Sequence, residues 1–186
     1  MKVMLIPGNG NSDVNDNWFP YAIKELKKLG LDVIAENMPD PYIARMSIWL
    51  PFIEEKIGKS EDVILIGHSS GATAIQRLLE KRKVKIAILV GTCYTDLNDE
   101  HEKLSGYYDE EWNWGKIKEN CENIIVFASQ DDPYISIEES RFIHEKLNCE
   151  YHEFTNQGHM GDKEIKKTEF PEIIVRIKEL LKNARS

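Results

Sequence analysis

The sequence predicts an α/β fold, a three-layer αβα sandwich on a mostly parallel sheet of about six strands. Three observations carry that expectation. Short β-branched runs alternate with longer amphipathic stretches along the whole chain, the signature of βαβ units. The strongest runs are continuously apolar rather than alternating, as in strands buried on both faces of a parallel sheet. No internal repeat, low-complexity tract or Pro/Gly-rich linker interrupts the 186 residues, so one domain over 1–186 is the simplest expectation.

The first strand is Val3-Met4-Leu5-Ile6, stopped by Pro7-Gly8. Phe19, Ile23, Leu26 and Leu29 then follow one helical face, with Gly30 placed to cap it. Asp32-Val33-Ile34-Ala35-Glu36 is a weaker strand candidate. Ile43, Met46, Leu50, Ile53 and Ile57 mark a second helix, which Pro51 should kink or restart. Val63-Ile64-Leu65-Ile66 is a strong strand, followed by the helical stripe Ala72, Ile75, Leu78 and Leu79. Ile86-Ala87-Ile88-Leu89-Val90 is the next strand. Residues 92–121 are the least regular; they hold Trp112 and Trp114 and suggest only a short helix near 114–121. Ile124-Ile125-Val126-Phe127 is a strand, Ile137, Phe142 and Leu147 mark a helix, and Tyr151-His152-Glu153-Phe154 alternates like an edge strand. Pro171 opens a last helix carrying Ile173, Ile174, Ile177, Leu180 and Leu181. The total is six strands and about six helices.

Composition narrows the function. Apolar residues make up 41% and charged residues 30%, a globular balance. Twenty-four Lys and Arg against 32 Asp and Glu give a net charge of −8, which argues against nucleic acid as a partner. No apolar run approaches the length of a membrane span, and the apolar part of Met1–Pro7 is too short for a signal peptide. Cys93, Cys121 and Cys149 are an odd, widely spaced set that suits a reducing cytoplasm, with no Cys/His cluster to hold zinc.

The informative stretch is Gly67-His68-Ser69-Ser70-Gly71. It reads G-x-S-x-G between a strong strand and a strong helix, the context in which a strained turn lifts a nucleophilic serine out of a sheet. Ser69 is the candidate nucleophile, and the Ser70 N–H at the helix start is a candidate oxyanion donor. His68 lies on the wrong side of the turn to serve as base and reads as structural. A serine hydroxyl needs a base oriented by a third group. In this kind of sheet the acid and then the base follow the serine in the chain, at the ends of later strands. Ser129-Gln130-Asp131-Asp132-Pro133 supplies two aspartates. Asp132 is preferred as the acid, and Asp131 is expected to cap the turn. His159 follows the last strand, with Gly158 giving the turn its freedom; His101, His144 and His152 fall on less suitable elements. The second oxyanion donor should come from Pro7-Gly8-Asn9-Gly10-Asn11, with Asn9 chosen.

These stretches, with Asn37-Met38-Pro39-Asp40-Pro41, Ser47-Ile48-Trp49-Leu50-Pro51-Phe52, Ser105-Gly106-Tyr107, Trp112 and Trp114-Gly115-Lys116-Ile117, resemble the small serine hydrolases of the retinoblastoma-binding protein 9 / YdeN type, within the α/β-hydrolase superfamily. The resemblance covers nearly the whole chain. It implies a minimal α/β-hydrolase fold lacking the usual leading antiparallel strands, and a triad of Ser69, Asp132 and His159. It also implies cofactor-free and metal-free hydrolysis of a small-molecule ester, thioester or amide. Some vertebrate members carry the pocket-protein-binding motif L-x-C-x-E. Here Leu147-Asn148-Cys149-Glu150 sets the acid one place too early, and Glu55-Lys56-Ile57-Gly58-Lys59 lacks the cysteine, so that partner is not expected. Residues 160–167 make a longer loop than the family pattern. With no lid-sized insertion, a shallow pocket for small acyl groups is expected.

Two other functions compete. A protein-interaction module could keep a hydrolase scaffold. A dinucleotide-binding domain would use Gly8-x-Gly10 and Glu36, but Asp13 at the third glycine position would repel a pyrophosphate.

Overall fold

The computed structural model describes residues 1–162 and 165–183. Six strands, β1 (Lys2–Ile6), β2 (Asp32–Ile34), β3 (Val63–His68), β4 (Ile86–Val90), β5 (Asn123–Ser129) and β6 (Glu150–Phe154), form one sheet in the order β2-β1-β3-β4-β5-β6. Every neighbouring pair is parallel. The helices among the described residues are α1 (Phe19–Lys28), α2 (Met46–Ile57), α3 (Ser70–Leu79), α4 (Glu100–Ser105), α5 (Trp114–Asn120), α6 (Ile137–Leu147) and α7 (Pro171–Asn183).

Because side chains alternate across a strand, the continuous apolar runs feed two cores. Val3, Leu5, Ile64, Ile66, Ile88 and Phe127 pack under α1 and α7. Met4, Ile6, Leu65, Ala87, Leu89 and Val126 pack under α2, α3, α5 and α6. The sheet is therefore covered on both faces, and β3 and β4 are buried at every position.

Three local features depart from expectation. The second strand ends at Ile34, not Glu36. α2 begins at Met46 and runs through Pro51 without a break. Pro51 and Ser47, whose carbonyl loses its donor, both face solvent, so water can take the lost hydrogen bond while buried Trp49, Leu50 and Ile53 hold the helix down. Trp49 also donates its indole N–H to the Pro39 carbonyl at 2.7 Å. α4 is a helix that the sequence pattern did not announce; Asp99 caps it by accepting from the His101 and Glu102 N–H groups.

The irregular stretch around α4 is held by Arg77, which is buried on α3. Its guanidinium lies 3.6 Å from the centroid of the Trp112 ring, donates to the Tyr107, Glu110 and Glu111 carbonyls, and pairs with Glu80. A fork of five donors can do this where lysine could not.

Candidate active site

The β3–α3 turn is built for close approach. Ser69 sits at φ +55°, ψ −124°, a strained conformation for a residue with a side chain. Its N–H donates to the Val90 carbonyl at 2.9 Å, extending the ladder to β4, and its carbonyl accepts from Ala72 and Thr73 to start α3. A Cβ on Gly71 would lie 2.2 Å from the Ile6 carbonyl oxygen and 2.6 Å from that of Pro7. A Cβ on Gly67 would meet the Gly71 carbonyl at 2.5 Å. The two glycines therefore let the helix start against the ends of β1 and β3. Ser70 is the first residue of α3, where a backbone N–H has no intrahelical acceptor.

The loops after β5 and β6 meet beside this turn. Asp132 Oδ1 accepts from the Tyr134 and Ile135 N–H groups at 2.9 and 3.0 Å. Asp132 Oδ2 lies 2.7 Å from His159 Nδ1, and the two side chains are only 3% and 9% exposed. The two backbone donors fix the plane of the carboxylate and so aim Oδ2 at the imidazole. Asp131 turns away. Its Oδ1 accepts from Ser129 Oγ at 2.5 Å and from the Gln157 and Gly158 N–H groups at 3.1 Å. The Ser129 hydroxyl foremost, then those N–H groups, hold its pKa below the ordinary carboxylate value. It thus joins the β5 loop to the β6 loop, a wider cap than one turn. Gly158, at φ +52°, supplies the bend that precedes His159.

His68 is buried and holds His159 from the other side, its Nε2 lying 2.7 Å from the His159 carbonyl oxygen. Burial, and next the neighbouring His159, push its pKa down to about 3. A neutral ring with the proton on Nε2 satisfies that carbonyl, so the role is structural, as the sequence suggested. The linkage has a clear sign. Unfolded His68 takes a proton below about pH 6.5 and folded His68 does not, so stability should fall as pH drops from about 6.5 towards 3. In His68→Gln that slope should shrink by about one proton, roughly 1.4 kcal/mol per pH unit. Urea melts at pH 4, 5 and 7 would measure it, and identical slopes in both proteins would refute the assignment.

Ser69, His159, Asn9 and Ser70 line one cleft of about 910 Å³, with Tyr42, Leu97 and Glu102 from other elements. That volume lies near the upper end for small-molecule sites; residues 91–113, not an inserted lid, contribute Cys93, Leu97, Asp99 and Glu102 to its lining. Asp13 borders it too, in the Gly-rich loop where a pyrophosphate would have to sit. Of the longer loop after His159, residues 163–164 lie outside the described residues. Among the described residues no group of three or more His, Cys, Asp or Glu is placed to hold a metal ion, and no helix is long and apolar enough to cross a membrane.

Residues 3–179 match the family model described as Serine hydrolase. The chain belongs to the serine hydrolase family. It is 42% identical to Serine hydrolase RBBP9 of Rattus norvegicus over 182 residues, covering 97% of this chain and 95% of that one. It is 27% identical to hydrolase YdeN of Bacillus subtilis, covering 88% and 87% of the two chains. The crystal structure of the Bacillus subtilis ydeN product superimposes with a TM-score of 0.85 at 24% identity, over 98% and 100% of the two chains. The protein is a hydrolase, and its parallel sheet between helical layers is the α/β-hydrolase fold.

Two features of this serine hydrolase escaped the sequence pattern. Gly91, just after β4, has φ +54°, and a Cβ there would lie 3.2 and 3.3 Å from His159 Cε1 and Nδ1. The imidazole therefore rests on a bare backbone. Its only forewarning was a glycine at a strand end. Gly91→Ala should lower kcat by roughly 10-fold or more, because displacing His159 by a few tenths of an ångström spoils its alignment. It should cost only about 1–2 kcal/mol of stability from the positive φ. Parallel kcat and melting measurements would check this; a fully active variant would show that His159 has room to move. The second feature is Glu102 on α4, whose Oε1 accepts from Asn9 Nδ2 at 2.7 Å. It lies in the stretch without periodicity, so nothing marked it.

Proposed function

We propose that the enzyme hydrolyses small esters, thioesters or amides through an acyl-enzyme on Ser69, with Asp132 and His159 as acid and base. The observation that carries this reading is the 2.7 Å contact of His159 Nδ1 with Asp132 Oδ2, in the same cleft as a serine at φ +55°. With Nδ1 committed to the carboxylate, Nε2 is left to take the Ser69 proton as Oγ attacks the substrate carbonyl carbon. The carbonyl electrons move onto oxygen, and the main-chain N–H groups of Ser70 and Asn9 stabilise that charge. Collapse of the tetrahedral adduct breaks the bond to the leaving group, which takes the proton back from Nε2. Water, deprotonated by the same nitrogen, then attacks the acyl carbon and frees Ser69. Asp132 keeps its charge throughout and stabilises the imidazolium. No metal or cofactor enters these steps. The Pyrococcus furiosus esterase Pf2001 shares the fold, with a TM-score of 0.64 at 17% identity, and supports the substrate class only by analogy. Three cysteines in no disulfide, two of them buried, agree with a cytoplasmic setting, which is part of the proposal.

A fluorophosphonate probe tests the nucleophile. Mass spectrometry should find Ser69 as the modified residue, with no labelling in Ser69→Ala. Modification at Ser70, or an unlabelled wild-type protein, would sink the assignment.

A further inference from the structure

Glu102 is half-buried beside the cleft, and both of its carboxylate oxygens are engaged by protein donors. Oε1 accepts from Asn9 Nδ2 at 2.7 Å and Oε2 from the Tyr108 hydroxyl at 3.0 Å. Tyr108 is itself held, its oxygen lying 3.1 Å from the buried Cys93 Sγ. Burial, foremost, raises the Glu102 pKa, while the Tyr108 hydroxyl, the Asn9 amide and last the nearby Ser70 hydroxyl oppose that rise; the Ser70 hydroxyl itself is buried without a hydrogen bond. The carboxylate thus binds the side chain of Asn9, one of the two residues whose main-chain N–H groups are the proposed oxyanion donors.

The loop that bears Asn9 needs such a tether. Gly10 and Asn11 both have positive φ, +66° and +65°, and Gly8 precedes Asn9. On the carbonyl side Asn9 is fixed by the Ser12 N–H and hydroxyl, at 3.2 and 2.9 Å. Gly10 and Asn11 are fixed through Tyr42 and Pro41. The Asn9 side chain is fixed by Glu102, 93 residues away in sequence. A carboxylate this near a developing oxyanion opposes it electrostatically. A compensating role in geometry accounts for its presence, since each of its oxygens is held by a protein donor.

We infer that Glu102 is a positioning residue, which clamps Asn9 to α4 and thereby aims the Asn9 main-chain N–H at the oxyanion. The inference rests on the acyl-transfer reading above. Losing one oxyanion donor costs on the order of 10²–10³ in kcat, and a misaimed donor costs part of that.

The test uses p-nitrophenyl acetate, with kcat and KM measured separately, on Glu102→Ala, Glu102→Gln, Asn9→Ala and the double variant Asn9→Ala/Glu102→Ala. Glu102→Ala should lower kcat by about 10- to 100-fold with little change in KM. Glu102→Gln, whose amide oxygen can still accept from Asn9, should recover most of that loss. Asn9→Ala removes the same hydrogen bond from the other side while keeping its main-chain N–H, so it should match Glu102→Ala. The double variant should be no slower than either single one. If Glu102→Ala does not fold, Asn9→Ala carries the test alone. Unchanged kcat, additive losses, or a loss confined to KM would each overturn the inference; the last would make Glu102 a substrate contact. Wild-type protein that takes no fluorophosphonate at Ser69 would instead overturn the acyl-transfer reading itself.

Discussion

Asp132→Asn should lower kcat on an activated ester by about 10⁴-fold, roughly 5 kcal/mol of transition-state stabilisation. As the proposed acid, Asp132 does two things at once. Oδ1 is fixed by two backbone N–H groups, which set the carboxylate plane, and Oδ2 accepts from His159 Nδ1. An amide can keep the first set of bonds by presenting its oxygen to them. It then points its NH₂ at His159, and the ring answers with a bare Nδ1 and the proton on Nε2. That tautomer cannot accept from Ser69. The neighbouring Asp131→Asn leaves an amide oxygen able to accept from Ser129, Gln157 and Gly158, and should cost about 1 kcal/mol of stability and little rate. Measuring kcat and melting temperature for both variants separates the two aspartates. If Asp131→Asn is the crippled one, the acid has been assigned one residue too late.

Gly71→Ala should be the most damaging single methyl in the fold. The added Cβ would sit 2.2 Å from the Ile6 carbonyl oxygen and 2.6 Å from that of Pro7, and both obstacles are backbone. No rotamer change relieves such contacts, so either α3 must lift off β1 or the end of β1 must bend. Both movements open the buried seam where Met4 and Ile6 pack under α3. The expected loss is roughly 3–5 kcal/mol, a fall in Tm of about 10 °C or more at this chain length. Gly115→Ala, at an exposed position of α5, meets nothing closer than 3.7 Å and serves as the control. Equal melting temperatures for the two variants would contradict the packing described here.

The sheet was legible because its strands are buried on both faces, so their hydrophobic runs are continuous and hard to mistake. The turn at Ser69 was legible for a different reason: its chemistry is local, with two glycines, a serine, a strand and a helix in ten residues. That Asp132 and His159 would lie near one another followed once the strands before them were placed, since parallel strands gather their loops at one end. What stayed hidden depends on contacts between distant segments. The role of Gly91 exists only because a ring from residue 159 lies over it. Glu102 matters through a partner 93 positions away. α4 is six residues long and stabilised by its Asp99 cap more than by any stripe of apolar residues. Pro51 does not restart the helix, because its cost depends on whether Ser47 faces water, which periodicity does not reveal.

The strand order has a consequence for how the protein is made. After β1 and β3 have paired, β4, β5 and β6 each add to the same free edge in the order of their synthesis. A chain emerging from the ribosome can therefore assemble its sheet as it appears, without waiting for a later segment to slip between strands already joined. Ser69 would be shaped early, while His159 follows only after β6, the last strand to join the sheet. The proposed nucleophile is thus shaped before the proposed base has been made, and the two can meet only once β6 has docked.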